Sequence, residues 1–309
     1  MKSNKNVLLT GASGFLGSSI LKKLILNDFN VLVIARSNSN GFRLEGLSSN
    51  FTKFVSDTFY SKELAKKINK IFPNYTMINS SWKGVDSGAR NSIWQIKDNF
   101  DINFSLLNLA KETACDHFIT LGSSAEYGAL NKKIFEDDHE RPSTIYGKAK
   151  LLVNIASEAF LNDANIKYTN LRVFNIYGPY DNENRFISYV IKSLLSEFSP
   201  DVTSCRQRLD YLYSEDFSEA VLKVVKHKPE GIYNLGSGST IELKKLIEII
   251  CSKIDNKIKP NIGAVSFRED RVMHSQANIL KLKSVINWEP TVSIDEGISH
   301  TIEYFKSIR

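Results

Sequence analysis

The sequence predicts an α/β fold, in which a doubly wound parallel sheet is joined to a smaller C-terminal α/β lobe. Short apolar runs alternate with longer helical patterns through about the first 174 residues. A glycine-rich turn at 10–17 (TGASGFLG) joins the first apolar run to the first helical pattern. Such alternation is typical of βαβ units, whose right-handed crossovers make the strands parallel and place ligands at their carboxyl ends. The predicted sheet is therefore Rossmann-like.

The individual elements follow from this alternation in chain order. In the first half we predict strands over 7–9, 31–34, 54–55, 76–79, 118–121 and 168–173, and helices over 17–26, 63–71, 99–113 and 144–160. Beyond residue 175 the predicted helices are 186–198, 216–226 and 243–254, and the predicted strands are 210–213, 230–235 and 258–261. We divide the chain into a Rossmann domain, 1–174, and a mainly substrate-binding lobe, 175–309, with a segment near 205–228 returning to the first domain.

The composition argues against several classes of protein. The net charge of +6 is scattered along predicted helices and not concentrated in basic runs with interleaved aromatics, so we expect no nucleic-acid partner. No stretch approaches the roughly 18 consecutive apolar residues of a membrane span, and the apolar segment 7–9 lies too near the N-terminus to leave room for a secretory signal. The three cysteines and five histidines share no metal-ligand spacing. We expect a cytoplasmic protein with no membrane or metal partner.

The glycine turn has the features of a phosphate-binding loop. Its spacing is G-x-x-G-x-x-G, and glycines let the backbone turn tightly and approach a pyrophosphate. The helix that begins there supplies free N–H groups and a partial positive charge. A plain glycine-rich strand–helix turn is the alternative, and a later segment at 236–238 (GSG) is predicted to be such a structural turn. The predicted cofactor contacts in the loop are Gly11, Ser13, Gly14, Phe15, Leu16 and Gly17.

The end of the second strand bears on the choice of cofactor. NAD-binding versions of this fold place an acidic residue there for the ribose 2′-OH. Here Ala35 occupies that position, and Arg36 and Ser37 follow. Because an arginine pairs with a 2′-phosphate, we predict NADP(H) as the preferred cofactor, held by Arg36 and Ser37, with NAD(H) as the alternative. Asp57, just past the third strand, is either an acceptor for the adenine amino group or a turn aspartate.

The segment 146–150 (YGKAK) carries a candidate proton-transfer pair. Tyr146 and Lys150 are four residues apart, so they share one face of the predicted helix. A phenol transfers protons usefully when its pKa falls from about 10 towards neutrality, and a nearby lysine ammonium favours the phenolate. Ser123 and Ser124 follow the strand 118–121, where a hydroxyl can stabilise charge on a reacting oxygen. The set predicts an oxidoreductase, although a helix tyrosine beside an exposed lysine would show the same spacing.

Four ordered motifs resemble the extended short-chain dehydrogenase/reductase family, the NAD-dependent epimerase/dehydratase family, over essentially the whole chain. They are TGASGFLG (10–17), GSSAEYG (122–128), YGKAK (146–150) and LRVFNIYGP (171–179). The resemblance implies a nicotinamide cofactor in the Rossmann domain and a nucleoside-diphosphate sugar in the C-terminal lobe. It implies catalytic roles for Ser123, Tyr146 and Lys150, with Tyr146 exchanging a proton with a sugar oxygen and Lys150 also holding the nicotinamide ribose. It places Asn99 in the cofactor site and Asn175 near the substrate diphosphate.

Particular residues separate the activities found in that family. Its dehydratases carry an Asp-Glu pair directly after the catalytic threonine, whereas this chain has Ser124 and Ala125 there and Glu126 one place too late. Its reductases that also epimerise use a cysteine in this neighbourhood, where the chain has Ala125. Its UDP-galactose-type epimerases hold NAD tightly, and Ala35 with Arg36 argues against that. We therefore expect neither dehydration nor coupled epimerisation.

The C-terminal motifs resemble the branch of 4-keto-6-deoxy-sugar C4-reductases, of which CDP-abequose and CDP-paratose synthases are examples. The segments that carry this resemblance are 80–84, 178–191, 210–216, 267–278 and 287–290. Leu209 stands where many relatives have an arginine that grips the diphosphate, so that role passes to candidates nearby. The implied substrate-binding residues are Trp82, Ser124, Asn175, Arg185, Arg208 and Arg268.

Three functions stay open at this point. The leading hypothesis is NADPH-dependent reduction of the C4 ketone of a nucleoside-diphosphate 4-keto-6-deoxy sugar for polysaccharide or O-antigen synthesis. The second is a nucleotide-sugar 4-epimerase or 4-dehydrogenase that uses NAD. The third is a non-catalytic NADP-binding regulatory protein, against which the intact set of Ser123, Tyr146 and Lys150 argues. The resemblance also implies a homodimer that packs through the helices carrying Asn99 and Tyr146.

Overall fold

A computed structural model describes residues 5–47, 50–85, 87–254, 257–267 and 272–309 of the chain. In these ranges the α-helices are α1 (Phe15–Leu26), α2 (Lys62–Ile71), α3 (Trp94–Glu112), α4 (Ile145–Asp163), α5 (Phe186–Leu195), α6 (Ser214–His227), α7 (Leu243–Lys253), α8 (Leu280–Ile286) and α9 (Ile294–Ser307). The strands are β1 (Asn6–Thr10), β2 (Asn30–Ala35), β3 (Thr52–Val55), β4 (Tyr75–Asn79), β5 (Cys115–Ser123), β6 (Lys132–Ile134), β7 (Lys167–Val173), β8 (Asn175–Tyr177), β9 (Asp201–Val202), β10 (Arg208–Leu209), β11 (Tyr211–Tyr213), β12 (Gly231–Leu235), β13 (Ile241–Glu242), β14 (Asn261–Ile262) and β15 (His274–Ala277).

Seven of these strands form one parallel sheet within the described ranges. Its order is β12-β7-β5-β4-β1-β2-β3. Strand β4 is buried along its whole length, because helices cover both faces of the sheet. Side chains of α1, α6 and α8 pack in the core on one face, and those of α2, α3 and α4 pack in the core on the other. The predicted α/β class with a doubly wound parallel sheet is confirmed.

The strand order reverses between β1 and β4, which are neighbours in the sheet. The chain leaves β1 for β2 on one side and reaches β5 from β4 on the other, so the connections diverge at the carboxyl ends of this pair. Such a switch point opens a crevice in which doubly wound sheets bind their ligands. The loops after Thr10 and Asn79 therefore frame the predicted site.

The C-terminal part has a core of its own. Apolar side chains of α5, α7 and α9 form that core, beside a sheet of order β13-β10-β15-β6. Helix α6 packs on α1, and β12 pairs with β7 in the large sheet. Of the segment near 205–228, residues 208–209 lie in the four-stranded sheet, 211–213 pair with β8, and 214–227 form α6. The division after residue 174 stays a prediction.

Candidate active site

The glycine turn between β1 and α1 forms a narrow cradle at the switch point. Gly11 has a φ of +72°, and a Cβ on it would lie 2.6 Å from the carbonyl carbon of Ser80. A Cβ on Gly17 would lie 2.1 Å from the carbonyl oxygen of Gly11. Gly14 is the N-cap of α1, is exposed, and provides no side chain to satisfy the first N–H groups of the helix. The cradle fits a pyrophosphate, because its glycines bring backbone close and the helix N-terminus faces it.

The loop after β2 is tied to the loop after β3. The backbone N–H of Ser37 donates to Oδ1 of Asp57 at 2.9 Å, and the Ser37 hydroxyl donates to the same oxygen at 2.8 Å. These bonds lower the pKa of Asp57, and the charge of Arg36 lowers it further. Arg36 itself is exposed beside Ala35, which closes the strand. Asp57 thus holds the loop that presents Arg36, and its predicted contact with adenine stays a prediction.

A second arginine, which the sequence did not single out, reaches the glycine turn. Nη1 of Arg43 donates to the carbonyl oxygen of Ser13 at 3.3 Å, and its Nε donates to the carbonyl oxygen of Tyr180 at 2.9 Å. The guanidinium therefore connects the glycine turn to the segment that leads into α5.

Phe15 and Leu16 turn their side chains towards the core of the large sheet, so only their backbone is available to a ligand at the turn.

Ser123, Tyr146 and Lys150 come together at the carboxyl end of β5. Thr144 caps α4 by accepting from the Gly147 N–H at 3.1 Å, which sets the helix start so that Tyr146 and Lys150 face the strand. Nζ of Lys150 donates to the carbonyl oxygen of Leu121 at 2.8 Å. Burial lowers the pKa of Lys150 to about 7, against an opposing contribution from a buried carboxylate, that of Glu126.

The surroundings of Tyr146 differ from the sequence prediction. Burial raises the pKa of this phenol above its ordinary value, where a lowering by Lys150 was expected. A hydrogen bond with the Ser123 side chain and the charges of Arg90 and Arg185 act in the opposite direction. The Lys150 ammonium lies 5.8 Å from the phenol ring and is turned towards Leu121. The phenol is therefore protonated at neutral pH and is surrounded by groups that favour the anion left after proton donation.

Trp82 forms one wall of this cluster. Its ring meets the Tyr146 ring edge-on at 5.7 Å, and Nζ of Lys150 lies 3.7 Å from the indole ring. The indole N–H donates to Oε1 of Gln95 at 2.9 Å. Asn99 accepts from the Lys83 N–H at 2.7 Å and donates to the Lys83 carbonyl oxygen at 3.1 Å. Helix α3 thus holds the segment after β4, and the cofactor role of Asn99 stays a prediction.

The predicted substrate residues lie at different distances from the cluster. Ser124 opens a 3₁₀ turn, Ser124–Glu126, directly beside Ser123. Arg185 is the N-cap residue of α5, lies 3.7 Å from Asp181, and acts electrostatically on Tyr146. Asn175 donates to the carbonyl oxygen of Asp210 at 2.8 Å, and Arg208 is exposed in the four-stranded sheet. Arg268 lies outside the described residues.

Glu126 and the loop 236–238 each have a structural role that argues against a second function. The carboxylate of Glu126 points into the protein, accepting from the Ser123 N–H at 2.8 Å and from Nε of Arg172 at 2.9 Å, so it does not stand in for the acid pair of a dehydratase. The loop 236–238 binds the buried carboxylate of Asp210 through its Ser237 and Gly238 N–H groups at 2.7 and 3.0 Å. Those N–H groups are satisfied internally, as a structural turn requires.

Three functional neighbours escaped the sequence analysis. Gln95 lies four residues before Asn99, so its place on the same helix face was available as a signal. Glu126 follows Ser123 in the S-x-x-E pattern of a capping box, which was available as well. Arg90 lies 5.0 Å from the Tyr146 ring and accepts from the Tyr146 N–H at 2.8 Å through its carbonyl. It belongs to an irregular segment in which no periodicity marks it.

The described residues provide neither a metal centre nor a membrane-spanning helix. No group of three or more His, Cys, Asp or Glu side chains there is placed to hold a metal ion. None of the helices in that part of the chain has both the length and the apolar composition to cross a bilayer.

Comparison with known proteins finds relatives of more than one activity, among them a synthase, a reductase and, at 26% identity over 314 residues, the UDP-glucuronate 4-epimerase of Thermodesulfobacterium geofontis. Residues 7–236 match the family described as the NAD dependent epimerase/dehydratase family. The chain is 26% identical over 306 residues to CDP-abequose synthase of Salmonella muenchen, with 96% of each chain covered. It is 27% identical over 332 aligned positions to dTDP-4-dehydro-6-deoxyglucose reductase of Escherichia coli, with 100% of this chain and 99% of that protein covered.

A solved structure shares the fold. The UDP-N-acetylglucosamine 4-epimerase from Methanobrevibacter ruminantium M1, in complex with UDP-N-acetylmuramic acid, superposes with a TM-score of 0.90. The sequences are 24% identical, and the match covers 99% of this chain and 100% of the other. The large sheet and the C-terminal lobe are therefore arranged alike in the two proteins.

Proposed function

The chain belongs to the NAD dependent epimerase/dehydratase family, and from this premise we propose that it reduces the C4 ketone of a nucleoside-diphosphate 4-keto-6-deoxy sugar with NADPH. As a family member it is an NAD(P)-dependent oxidoreductase of the short-chain dehydrogenase/reductase type. One observation carries the finer proposal: Ser123, Tyr146 and Lys150 converge beside the glycine cradle while Ser124 and Ala125 leave no acid pair for dehydration. The two reductase-type relatives support the same direction of reaction.

The side chains of the cluster divide the proton chemistry among them. Tyr146, protonated at neutral pH because burial raises its pKa, donates its proton to the C4 oxygen. The Ser123 side chain lowers the pKa of the phenol against the effect of burial, and its hydroxyl would stabilise charge on the reacting oxygens. Arg90 and Arg185 favour the phenolate that remains. The nicotinamide, when bound, supplies the hydride.

The residues that would hold the cofactor follow from the geometry of the cradle. The backbone of 11–17 and the N-terminus of α1 would bind the pyrophosphate. Arg36, presented by the Ser37–Asp57 bonds, would pair with a 2′-phosphate, which supports NADP(H) over NAD(H). Lys150 would hold the nicotinamide ribose, with Trp82 as the wall behind its ammonium. For the sugar nucleotide we propose Trp82, Ser124, Asn175, Arg185 and Arg208.

The assembly and location belong to the same proposal. Helices α3 and α4 pack together and expose apolar side chains, among them Phe104, Leu152 and Ile155, of which Ile155 is 56% exposed. Exposed apolar side chains on adjacent helices support a homodimer through this face. The cysteines Cys115, Cys205 and Cys251 form no disulfide with one another, which supports a reducing, cytoplasmic setting for sugar-nucleotide synthesis leading to polysaccharide or O-antigen.

The test is NADPH oxidation across a panel of CDP-, dTDP-, GDP- and UDP-linked 4-keto-6-deoxy sugars. We expect turnover with at least one of them, and a loss of about 10²–10⁴-fold in kcat for Tyr146→Phe, which keeps the ring but removes the proton. The matched control is Tyr189→Phe, a tyrosine on α5. The 4-epimerase would be established instead if the protein bound NAD tightly and interconverted C4 epimers without net consumption of NADPH. NADPH binding without any turnover would favour the regulatory protein.

A further inference from the structure

The carboxylate of Glu126 lies directly behind the catalytic serine. Glu126 is fully buried, and its Oε1 accepts from the backbone N–H of Ser123 at 2.8 Å. The Ser123 Oγ in turn accepts from the N–H of Ala125 at 3.2 Å, which closes a capping box around the 3₁₀ turn. These bonds fix the backbone of Ser123. Because the Ser123 Oγ accepts in this turn, its own O–H stays available as a donor towards Tyr146.

Arg172 holds this carboxylate from the other side. Its Nε donates to Oε2 of Glu126 at 2.9 Å, its Nη2 donates to Glu140 at 2.6 Å, and its guanidinium lies 4.4 Å from the Tyr127 ring. The side chains of Glu126 and Arg172 are both inaccessible to solvent, while that of Glu140 is 35% exposed. A buried ion pair with directed hydrogen bonds resists rearrangement, because moving either partner leaves an uncompensated charge.

Gly122 provides the space that the carboxylate occupies. A Cβ at this position would lie 2.5 Å from Oε1 of Glu126 and 2.4 Å from Oδ1 of Asn170. The strand therefore passes close to the carboxylate only because residue 122 has no side chain. The Glu126 side chain is confined between β5 and Arg172.

We propose that Glu126 is a positioning residue, which with Arg172 fixes the Ser123 backbone and so directs the serine hydroxyl at the Tyr146 phenol. The inference rests on the proposed function only in giving Ser123 and Tyr146 their roles. Glu126 is also a negative charge near Lys150, which favours the ammonium form of that lysine. Its part in the site is support from behind, with no contact to the reacting sugar.

The variant Glu126→Gln tests this directly. A glutamine has one acceptor oxygen where the carboxylate has two, so the Ser123 N–H and Nε of Arg172 compete for it. The charged donor keeps the oxygen, and the Ser123 N–H loses its partner. We expect kcat to fall about 10²-fold with KM within about twofold of wild type, because the hydroxyl is displaced while substrate binding is untouched. Glu140→Gln, which also removes one carboxylate from Arg172, should leave kcat unchanged.

A double-mutant cycle with Ser123→Ala separates positioning from a merely structural role. If Glu126 acts through Ser123, the loss of kcat caused by Glu126→Gln should be at least about tenfold smaller once the hydroxyl is gone, and the part that remains is its effect on Lys150. Equal losses in both backgrounds would overturn the proposal, and so would an effect on KM alone. If Glu126→Gln proves too unstable, Glu126→Gln/Arg172→Met also removes the unpaired buried charge. No charged donor then competes for the glutamine oxygen, so the Ser123 N–H keeps its acceptor. We expect kcat of this double variant within about tenfold of wild type, and a loss as large as about 10²-fold would contradict the competition for the oxygen.

Hydrogen exchange supplies a readout that needs no substrate. The Ser123 amide should exchange faster in Glu126→Gln than in wild type, while Glu140→Gln leaves it protected. Unchanged protection in Glu126→Gln would refute the positioning role even if no sugar of the panel turned over. Faster exchange without turnover by the wild type would instead count against the proposed function and leave Glu126 as the support of Ser123.

Discussion

At the scale of single residues, Lys150 shows how the site alters an ordinary side chain. Its ammonium lies in a pocket of the Leu121 carbonyl, the Trp82 ring and the Tyr146 ring, with 7% of the residue exposed. A hydrogen bond and a ring face replace only part of the hydration that a cation has in water. The pKa of Lys150 therefore falls to about 7, so its charge titrates near neutrality.

Replacing this lysine should stabilise the fold in a pH-dependent way. In the unfolded chain Lys150 has a pKa of about 10.4, and in the folded chain about 7. Between these values the unfolded state binds more protons, so the wild type loses stability as pH falls through the window. The stability advantage of Lys150→Met should widen by about 4 kcal/mol from pH 10.5 to pH 7. Urea unfolding measures it, with exposed Lys148→Met as control. A difference independent of pH would contradict the folded pKa.

Arg36 is the residue on which the proposed preference for NADPH rests. Its guanidinium is exposed on a loop that Asp57 fixes, and Ala35 beside it offers no carboxylate to a ribose 2′-OH. For Arg36→Ala we expect the Kd for NADPH to rise about 10-fold or more while the Kd for NADH changes less than about twofold, because one charge-assisted contact is lost. Titration with both cofactors measures this. Exposed Lys53→Ala on β3 is the control, and equal losses for both cofactors would place Arg36 away from the 2′-phosphate.

At the scale of elements, the β1–α1 turn is the segment in which we expect a substitution to lower both the stability of the fold and cofactor binding. A methyl group at Gly11 would meet the Ser80 backbone at 2.6 Å on a residue with φ of +72°. We expect Gly11→Ala to lower the free energy of unfolding by about 2 kcal/mol and to abolish nicotinamide cofactor binding, since the turn must open to relieve the contact. Denaturant unfolding and cofactor titration measure the two effects. Gly41→Ala, at a glycine with open space around it, should leave both unchanged.

The elements that the sequence predicted well are those with a strong hydrophobic pattern, either a continuous apolar run or a helical period. Strands of the large sheet such as β4 and β5 read as apolar runs because both faces are buried. The strands β6 (KKI) and β15 (HSQA) were missed, since each is short and polar and is stabilised by pairing with a partner far away in sequence. The strand predicted over 258–261 lies at Asn261–Ile262, where it pairs only with the two-residue β9.

The same distinction applies within the site. Ser123, Tyr146 and Lys150 could be predicted because motif order places them at one end of the sheet. The direction of the Tyr146 pKa could not be predicted, because it depends on burial by Trp82 and on arginines from other segments, Arg90 and Arg185. Motif spacing identifies residues that are close in sequence. The desolvation of Tyr146 depends on residues that are distant in sequence and close in the fold.

At the scale of the whole molecule, the two cores meet around the proposed site. The large sheet contributes the glycine cradle and the catalytic cluster, and the C-terminal core places α5 so that Arg185 acts on Tyr146. Arg43 bonds to both sides, at Ser13 and at Tyr180. The proposed cofactor and sugar sites therefore share one set of contacts, and we expect a shift of either lobe to change both.

The exposed face of α3 and α4 leads to a prediction about assembly. Ile155 is 56% exposed on the helix that carries Tyr146 and Lys150. In a twofold dimer one substitution acts in both copies, so burying two unpaired carboxylates should cost about 4 kcal/mol and weaken dimerisation about 10³-fold. Light scattering after gel filtration should then show a dimer for the wild type and a monomer for Ile155→Glu at micromolar concentration. The control is Leu26→Glu at the end of α1, where the side chain is 80% exposed. A wild type that is monomeric, or an Ile155→Glu chain that stays dimeric, would remove this face from the assembly, since a buried carboxylate without a partner cannot be accommodated at an apolar interface.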